Sequence, residues 1–303
     1  MPEVAGSSSR SLSPVLSLSK HLSKRDDPVP SAEVLVFGDL IDDIVVVPDG
    51  AIRPDTDTPS RVELRPGGSA ANTAAWLAAD GVATVFIGRC GPTDVGRHTA
   101  LLAPVDARLE PDDLGTGSIV ILVEGERRSM LTQRGANVNV DPAAIDPAGF
   151  SLVHATGYTV AEHPDAFADF VERAHAAGVR VSLNAGSVAA IEALGAAVFL
   201  RAIAGVDILV ASEAEAALLD GATFDLTVVT AGRRGATVFH SGEATHVPSR
   251  RTETIDPTGA GDAFTAGLLS GVLRGLTPVD AAIHGTELAA QVVRQLGARP
   301  PQS

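Results

Sequence analysis

Lysine is almost missing from this 303-residue chain: its two copies, Lys20 and Lys24, precede the first credible strand, so the folded body has none. That body therefore has no Gly-Lys-Ser/Thr phosphate loop and no Schiff-base amine. Cysteine is scarcer still. Cys90 stands alone, which removes internal disulfides and thiolate metal clusters and suits a reducing, cytoplasmic compartment. The eight histidines include no His-Glu-x-x-His pair, so a zinc hydrolase lacks its ligands. No Gly-x-Gly-x-x-Gly follows a strand-like run, which counts against a dinucleotide-binding dehydrogenase. Positive charge is in deficit, with 23 basic against 37 acidic residues and a net charge of -14. A nucleic acid would meet repulsion over most of such a surface, and a small ligand is the better expectation. Aromatic side chains are also few, with one Trp, one Tyr and nine Phe, which leaves few rings to sandwich a flat heteroaromatic ligand. The longest hydrophobic region, 188–206, contains Glu192 and Arg201 and is punctuated by Gly195 and Gly205. It reads as buried helix, and no membrane partner is expected.

What is present is ordered alternation. Residues 1–30 are serine-rich, carry Pro14, Pro28 and Pro30, and read as a disordered tail; their basic, acid-free stretch at 11–25 leaves a transit peptide as the lesser alternative. From 31 to 303 the chain reads as one body. Short apolar runs at 34–37, 83–87, 152–155, 179–183, 208–210 and 227–230 suit strands buried on both faces. Alanine-rich stretches between them, such as 69–79 and 165–177, have helical period. The expected fold class is α/β, a doubly wound, mostly parallel sheet with helices on both faces. Two segments break the alternation, about 44–65 and 116–133, the second a hairpin across Gly125. Together they read as a small β-sheet lid; pattern alone serves equally an extra antiparallel edge of the main sheet.

One turn carries the chemistry. The segment Asp256-Pro-Thr-Gly259-Ala260-Gly261-Asp262 leads from a strand-like run at 252–255 into a helix expected to continue to about Arg274. Glycines at 259 and 261 let the backbone approach a ligand, and the new helix adds free N–H donors and a positive dipole end. Together these make an anion hole. Asp262 lies in the first helical turn beside it, where a carboxylate takes the proton of an attacking hydroxyl; the same position also suits a residue that only complements the helix dipole. A second double glycine, Gly67-Gly68, opens another helix, with Asn72 one turn in, placed to bond a hydroxyl or simply part of a close-packed helix start.

Gly67-Gly68-x-x-x-Asn72 followed by Asp256-x-Thr258-Gly-Ala-Gly-Asp262 resembles the two signatures of the ribokinase-like, or PfkB, carbohydrate kinases. The likeness runs over about 33–300 and includes Gly38-x-x-x-x-Asp43, Gly91-x-x-Asp94-x-Gly96 and Thr230-x-Gly232-x-x-Gly235. The resemblance implies a ribokinase-like fold and transfer of phosphate from ATP to a hydroxyl of a small sugar. It makes Asp262 the base and puts Gly259, Ala260 and Gly261 on the moving phosphate. Sugar hydroxyls would be held by Asp43, Gly67, Gly68 and Asn72, with Asp39 and Asp42 near enough to share that role. Nucleotide would lie near Thr230, Gly232 and Gly235, Mg2+ would be served by Glu215, and K+ would sit beside the anion hole through Asp256. The chain departs from the family at Ser212, where relatives have asparagine, at Asn184, often aspartate, and in a short 96–108 segment.

Ribose, fructose and 2-keto-3-deoxygluconate are all admissible substrates. A phosphorylated sugar would need a cation, for which Arg89, Arg97 and Arg134 are candidates. The alternatives are a nucleoside kinase of the same family and a weakly catalytic sugar- or nucleotide-binding sensor. Open lid edges suit a homodimer.

Overall fold

The computed structural model describes residues 33–124 and 127–301, so the expected tail at 1–30 and the turn at Gly125 lie outside the described residues. In chain order the strands are β1 (Val34–Phe37), β2 (Ile41–Pro48), β3 (Ser60–Gly67), β4 (Thr84–Cys90), β5 (Asp106–Pro111), β6 (Gly117–Glu124), β7 (Arg127–Gln133), β8 (Leu152–Thr156), β9 (Arg180–Asn184), β10 (Ile208–Ser212), β11 (Leu226–Thr230), β12 (Ala236–His240) and β13 (Glu243–Val247). The helices are α1 (Ser69–Ala79), α2 (Val95–Leu102), α3 (Gly157–Glu162), α4 (Pro164–Ala176), α5 (Val188–Leu194), α6 (Ala196–Ala202), α7 (Glu213–Leu218), α8 (Ala260–Leu273) and α9 (Pro278–Val292).

Strand β1 is apolar at every position because it lies mid-sheet between two parallel neighbours, β4 and β8, with helices over both faces. Its alternation sorts the core. Val34 and Val36 join the layer of α1, α8 and α9, including Trp76, Leu268 and Leu288, while Leu35 and Phe37 join Phe167, Phe170, Ile191 and Phe199 on the other face. Phe37 meets Phe170 nearly edge-on at 5.0 Å between centroids, a favourable arrangement of ring quadrupoles. The large sheet runs β13-β12-β11-β10-β9-β8-β1-β4-β5, antiparallel only where β12 and β13 fold back on β11. From β1 the chain builds one way through β4 and β5 and then the other way through β8 to β11. The crevice beyond the ends of β1 and β8 is therefore a topological switch point, where open α/β sheets hold their ligands.

The segments about 44–65 and 116–133 form a separate sheet, β3-β2-β6-β7, and not an extra edge of the large one. Two sequence expectations are corrected. Residues 188–206 are not one helix: Gly195 at φ 90° breaks them into α5 and α6, since only glycine takes that backbone turn cheaply. The run 252–255 is not a strand, because its hydrogen bonding goes elsewhere: the amides of Ile255 and Asp256 donate to the carbonyl of Val293 at 2.7 and 3.2 Å.

Candidate active site

The switch point is held together by a carboxylate. Asp39, buried just beyond β1, accepts from the Thr156 hydroxyl at the end of β8 (2.8 Å) and from the Ser69 amide at the start of α1 (2.6 Å). A negative charge on the free amides of a helix start is favourable, so Asp39 fixes where α1 begins. The turn must pass very close to it. Gly68 has φ 93°, and a Cβ there would lie 2.5 Å from the Asp39 carbonyl oxygen. Gly67 lacks room for a different reason: an added Cβ would overlap the Asp43 carboxylate.

Neighbouring residues on β2 face opposite ways, and this separates two aspartates that the sequence left together. Asp42 turns to α2, where both its oxygens meet Arg97 (2.9 and 2.5 Å) and His98 stands beside it. Its expected share in sugar binding is therefore closed off by an ion pair. Asp43 turns inward over Gly67, and burial, the main cause, pushes its carboxyl up to about 6.

Helix α8 starts at Gly259, whose φ of 79° and approach to Ala298 (2.6 Å from an added Cβ to that side chain) exclude other residues. Gly261 faces open space, with nothing near an added Cβ, so its small size leaves room in the crevice. Asp262 reaches back across this gap. Its Oδ1 accepts from the Ser69 hydroxyl (2.6 Å) and its Oδ2 from the Asn72 amide (2.9 Å). Burial pushes its carboxyl up to about 7, against those two hydrogen bonds, and the charges of Asp39 and Asp43 push the same way. The second helix, the glycine turn and the catalytic candidate thus meet at one point.

Sequence reasoning missed Arg299. It is 8% exposed and enters from the C-terminal segment, its Nε donating to Asn72 Oδ1 (3.3 Å) and one Nη to the Gly67 carbonyl (2.9 Å). Its other Nη is buried with no partner. Burial pulls its pKa down to about 10, so it stays charged at neutral pH. A guanidinium only donates. The Asn72 atom it touches must therefore be the oxygen, and the Asn72 N–H is left facing Asp262. A lone arginine near a C-terminus has no motif around it, so no sequence signal pointed here.

The other half of the crevice lies at the ends of β9, β10 and β11. Thr230 closes β11 and pairs with Ser212 across the ladder; the loop to β12 contains Gly232 at φ 56° and Gly235 at φ 99°, where a side chain on Gly235 would strike the Val247 carbonyl. Ser212 and Glu215 form a capping box on α7, with the Ser212 amide donating to Glu215 Oε2 at 2.8 Å. Asn184 ends β9 and lies 3.5 Å from the Thr265 hydroxyl in α8. Asp256 is heavily engaged: the Thr258 amide and hydroxyl (3.0 and 2.6 Å), the Gly297 amide (3.2 Å) and Arg65 (3.3 Å) all donate to it. No cluster of three or more metal-ligating side chains occurs among the described residues.

The family model described as pfkB family carbohydrate kinase matches residues 31–303. This chain belongs to the pfkB family. Among its relatives, the fructokinase of Klebsiella pneumoniae is 28% identical over 292 residues, spanning 86% of this chain and 90% of the relative. The ATP-dependent ribose-1-phosphate kinase of Halopiger xanaduensis is 34% identical over 224 residues, spanning 67% and 72%. The solved structure of adenosine kinase from Sinorhizobium meliloti shares the fold with a TM-score of 0.78 at 25% identity, covering 89% of this chain and 96% of that one. Like other pfkB enzymes, this protein is a phosphotransferase acting on an alcohol group, and its two glycine segments meet through Asp262, Ser69 and Asn72.

Proposed function

We propose that this pfkB kinase transfers the γ-phosphate of ATP to a hydroxyl of a small sugar, with Asp262 as general base. The observation that carries the reading is the convergence of Asp262 with Ser69 and Asn72 at the mouth of the Gly259–Gly261 turn. A carboxylate pushed up to about 7 is well matched to taking a proton near neutrality. As the substrate O–H bond breaks, its proton passes to Asp262; the oxygen bonds to the γ-phosphorus, and the bond from that phosphorus to the β-phosphate oxygen breaks, releasing ADP. The amides at the start of α8 face the charge on the moving group. Asp43, Gly67, Gly68 and Asn72 are assigned to the sugar, and Thr230, Gly232 and Gly235 to the nucleotide.

Magnesium carried on nucleotide phosphates and water needs little more than one protein carboxylate, and Glu215 fits that need with Oε2 on the helix cap. Potassium fits poorly. Asp256 already carries four donors, one of them the cation of Arg65, and no step is assigned to that ion. The small sheet is assigned as a lid. Beneath it, Asp43, Val45, Ile121 and Val123 face Asp256, Thr258, Gly297 and Ala298 across a cavity of about 40 Å³, and a sheet that lifts would widen this gap for a sugar. Its strands β3 and β7 expose Val62, Leu64, Met130 and Leu131; a second copy of the chain is the assigned cover, and Leu64→Glu would return a dimer to one chain by light scattering. No helix among the described residues is long and apolar enough to cross a membrane, and buried Cys90 suits work in the cytoplasm.

The test is ATP consumption by the full chain with magnesium, against a panel of sugars and nucleosides, with and without potassium. Steady turnover with a sugar is expected, which also excludes a non-catalytic sensor. Turnover restricted to nucleosides would overturn the sugar assignment.

A further inference from the structure

The three arginines that a charged sugar would need are not equivalent. Arg89 pairs with Asp112 (3.3 Å) and Glu110, and Arg97 pairs with Asp42 and Asp94. Each is already paired with two carboxylates. Arg134 stands just after β7, at the root of the small sheet, with its guanidinium over the ring of Tyr158, 4.6 Å from the centroid. Among the described residues it meets no carboxylate and makes no side-chain hydrogen bond. A ring face holds a guanidinium in place without using its N–H groups, so this cation is positioned and still has its donors.

Its position is inside the site. Tyr158 follows the end of β8 at the switch point, and it feels the charges of Asp39, Arg134 and Asp262. In a chain with 14 more acidic than basic residues, carboxylate partners are plentiful, yet this arginine takes an aromatic one. Asp39, Asp43 and Asp262 would repel an anion placed among them, but Arg299 offsets part of that charge from within, and Arg134 meets the ligand from the lid side.

We propose that Arg134 reads an anionic group already present on the substrate, so that the sugar phosphorylated here is a sugar phosphate or a sugar acid. The inference rests on the kinase reading and narrows its substrate class. Arg134 takes no part in the transfer; its donors hold the phosphate ester or carboxylate, which leaves the reaction unchanged, while a free hydroxyl is presented to Asp262. A planar guanidinium suits either group, because both offer two oxygens side by side.

The full chain is assayed with ribose, ribose 1-phosphate, ribose 5-phosphate and ribonate, and with fructose, fructose 6-phosphate and 2-keto-3-deoxygluconate. At least one anionic compound is expected to exceed its neutral counterpart at least tenfold in kcat/KM, and the phosphate and carboxylate arms identify which anion is read. Arg134→Gln, checked to melt as the parent does, is expected to raise KM for that compound by roughly 10- to 100-fold, the range for losing a charged hydrogen bond. Its anionic-to-neutral ratio should fall towards one, with partial recovery in Arg134→Lys. A neutral sugar turned over as well as its anionic partner, or a ratio unmoved by Arg134→Gln, overturns the inference and leaves the kinase reading standing. No ATP consumption with any hydroxyl compound overturns both.

Discussion

Asp262 has two properties that pull against each other. Its carboxyl is pushed up to about 7 from an ordinary 3.8, so the folded state resists the ionised form that its proposed role as base requires. A raised folded-state value means that the group's contribution to stability is full below about 4 and is lost as pH rises towards 7. Turnover should do the reverse and fall as pH drops through about 7. Asp262→Asn is therefore expected to fold and to bind both ligands. It should lose about 10²- to 10⁴-fold in kcat, and at pH 8 it should gain about 1 kcal/mol, roughly 1.5–2 °C in melting temperature. Near-normal turnover in this variant would remove Asp262 as the base.

Arg299 acts one residue further back. Without it, the Asn72 amide is free to turn and present its oxygen to Asp262, which favours the protonated acid. Arg299→Met is expected to shift the acidic limb of the pH profile for kcat upward by about half a unit or more, in the sense of hydrogen bonds to the charged form being lost. A purely structural role would lower the melting temperature and leave that limb where it is. The contrast shows what was readable beforehand. Asp262, Asn72 and Gly67 lie in short motifs whose spacing reports a local backbone shape. Arg299 reaches Asn72 over 227 positions, and Asp42 was separated from Asp43 only by knowing which face of β2 each occupies.

Among the elements, those buried on both sides were the most legible, because a continuous apolar run has few other uses: β1 and α1 fall where periodicity placed them. The edges were not. β5, Asp106–Pro111, is mostly exposed and polar, and the β12–β13 hairpin turns on Ser241 and Gly242, both at positive φ, outside any buried pattern. The small sheet was recognised only as an interruption, since its separation from the large sheet is a matter of pairing partners. Its root is pinned by Asn137, whose amide oxygen accepts from the Leu40 N–H (2.8 Å) and whose nitrogen donates to the Leu40 carbonyl (3.0 Å). That side chain copies a strand partner at a place where no strand runs. If the sheet lifts about this point, amides in β2 and β6 should exchange with solvent faster in the free enzyme than with sugar and nucleotide bound, while those of β1 and β8 stay slow in both. Equal protection of β2 with and without ligands would argue against a lid.

At the scale of the whole molecule, the charge pattern divides phosphate handling from ordinary basic chemistry. Every basic group described between residues 33 and 301 is an arginine or a histidine; the lysines stand at positions 20 and 24, before the first described residue. A phosphate in this crevice must then be held by backbone amides, a metal or a guanidinium, none of which an amine-directed reagent touches. Exhaustive acetylation, confirmed by mass, is expected to change kcat/KM by less than about twofold, although it removes two lysine charges from a chain already at -14. Phenylglyoxal, which attacks guanidinium groups, is expected to inactivate the enzyme, and sugar with nucleotide should slow that loss, because Arg134 is then covered. Loss of activity on acetylation alone would mean that the segment before residue 33 enters the site, and the division of labour between the two glycine turns would have to be redrawn.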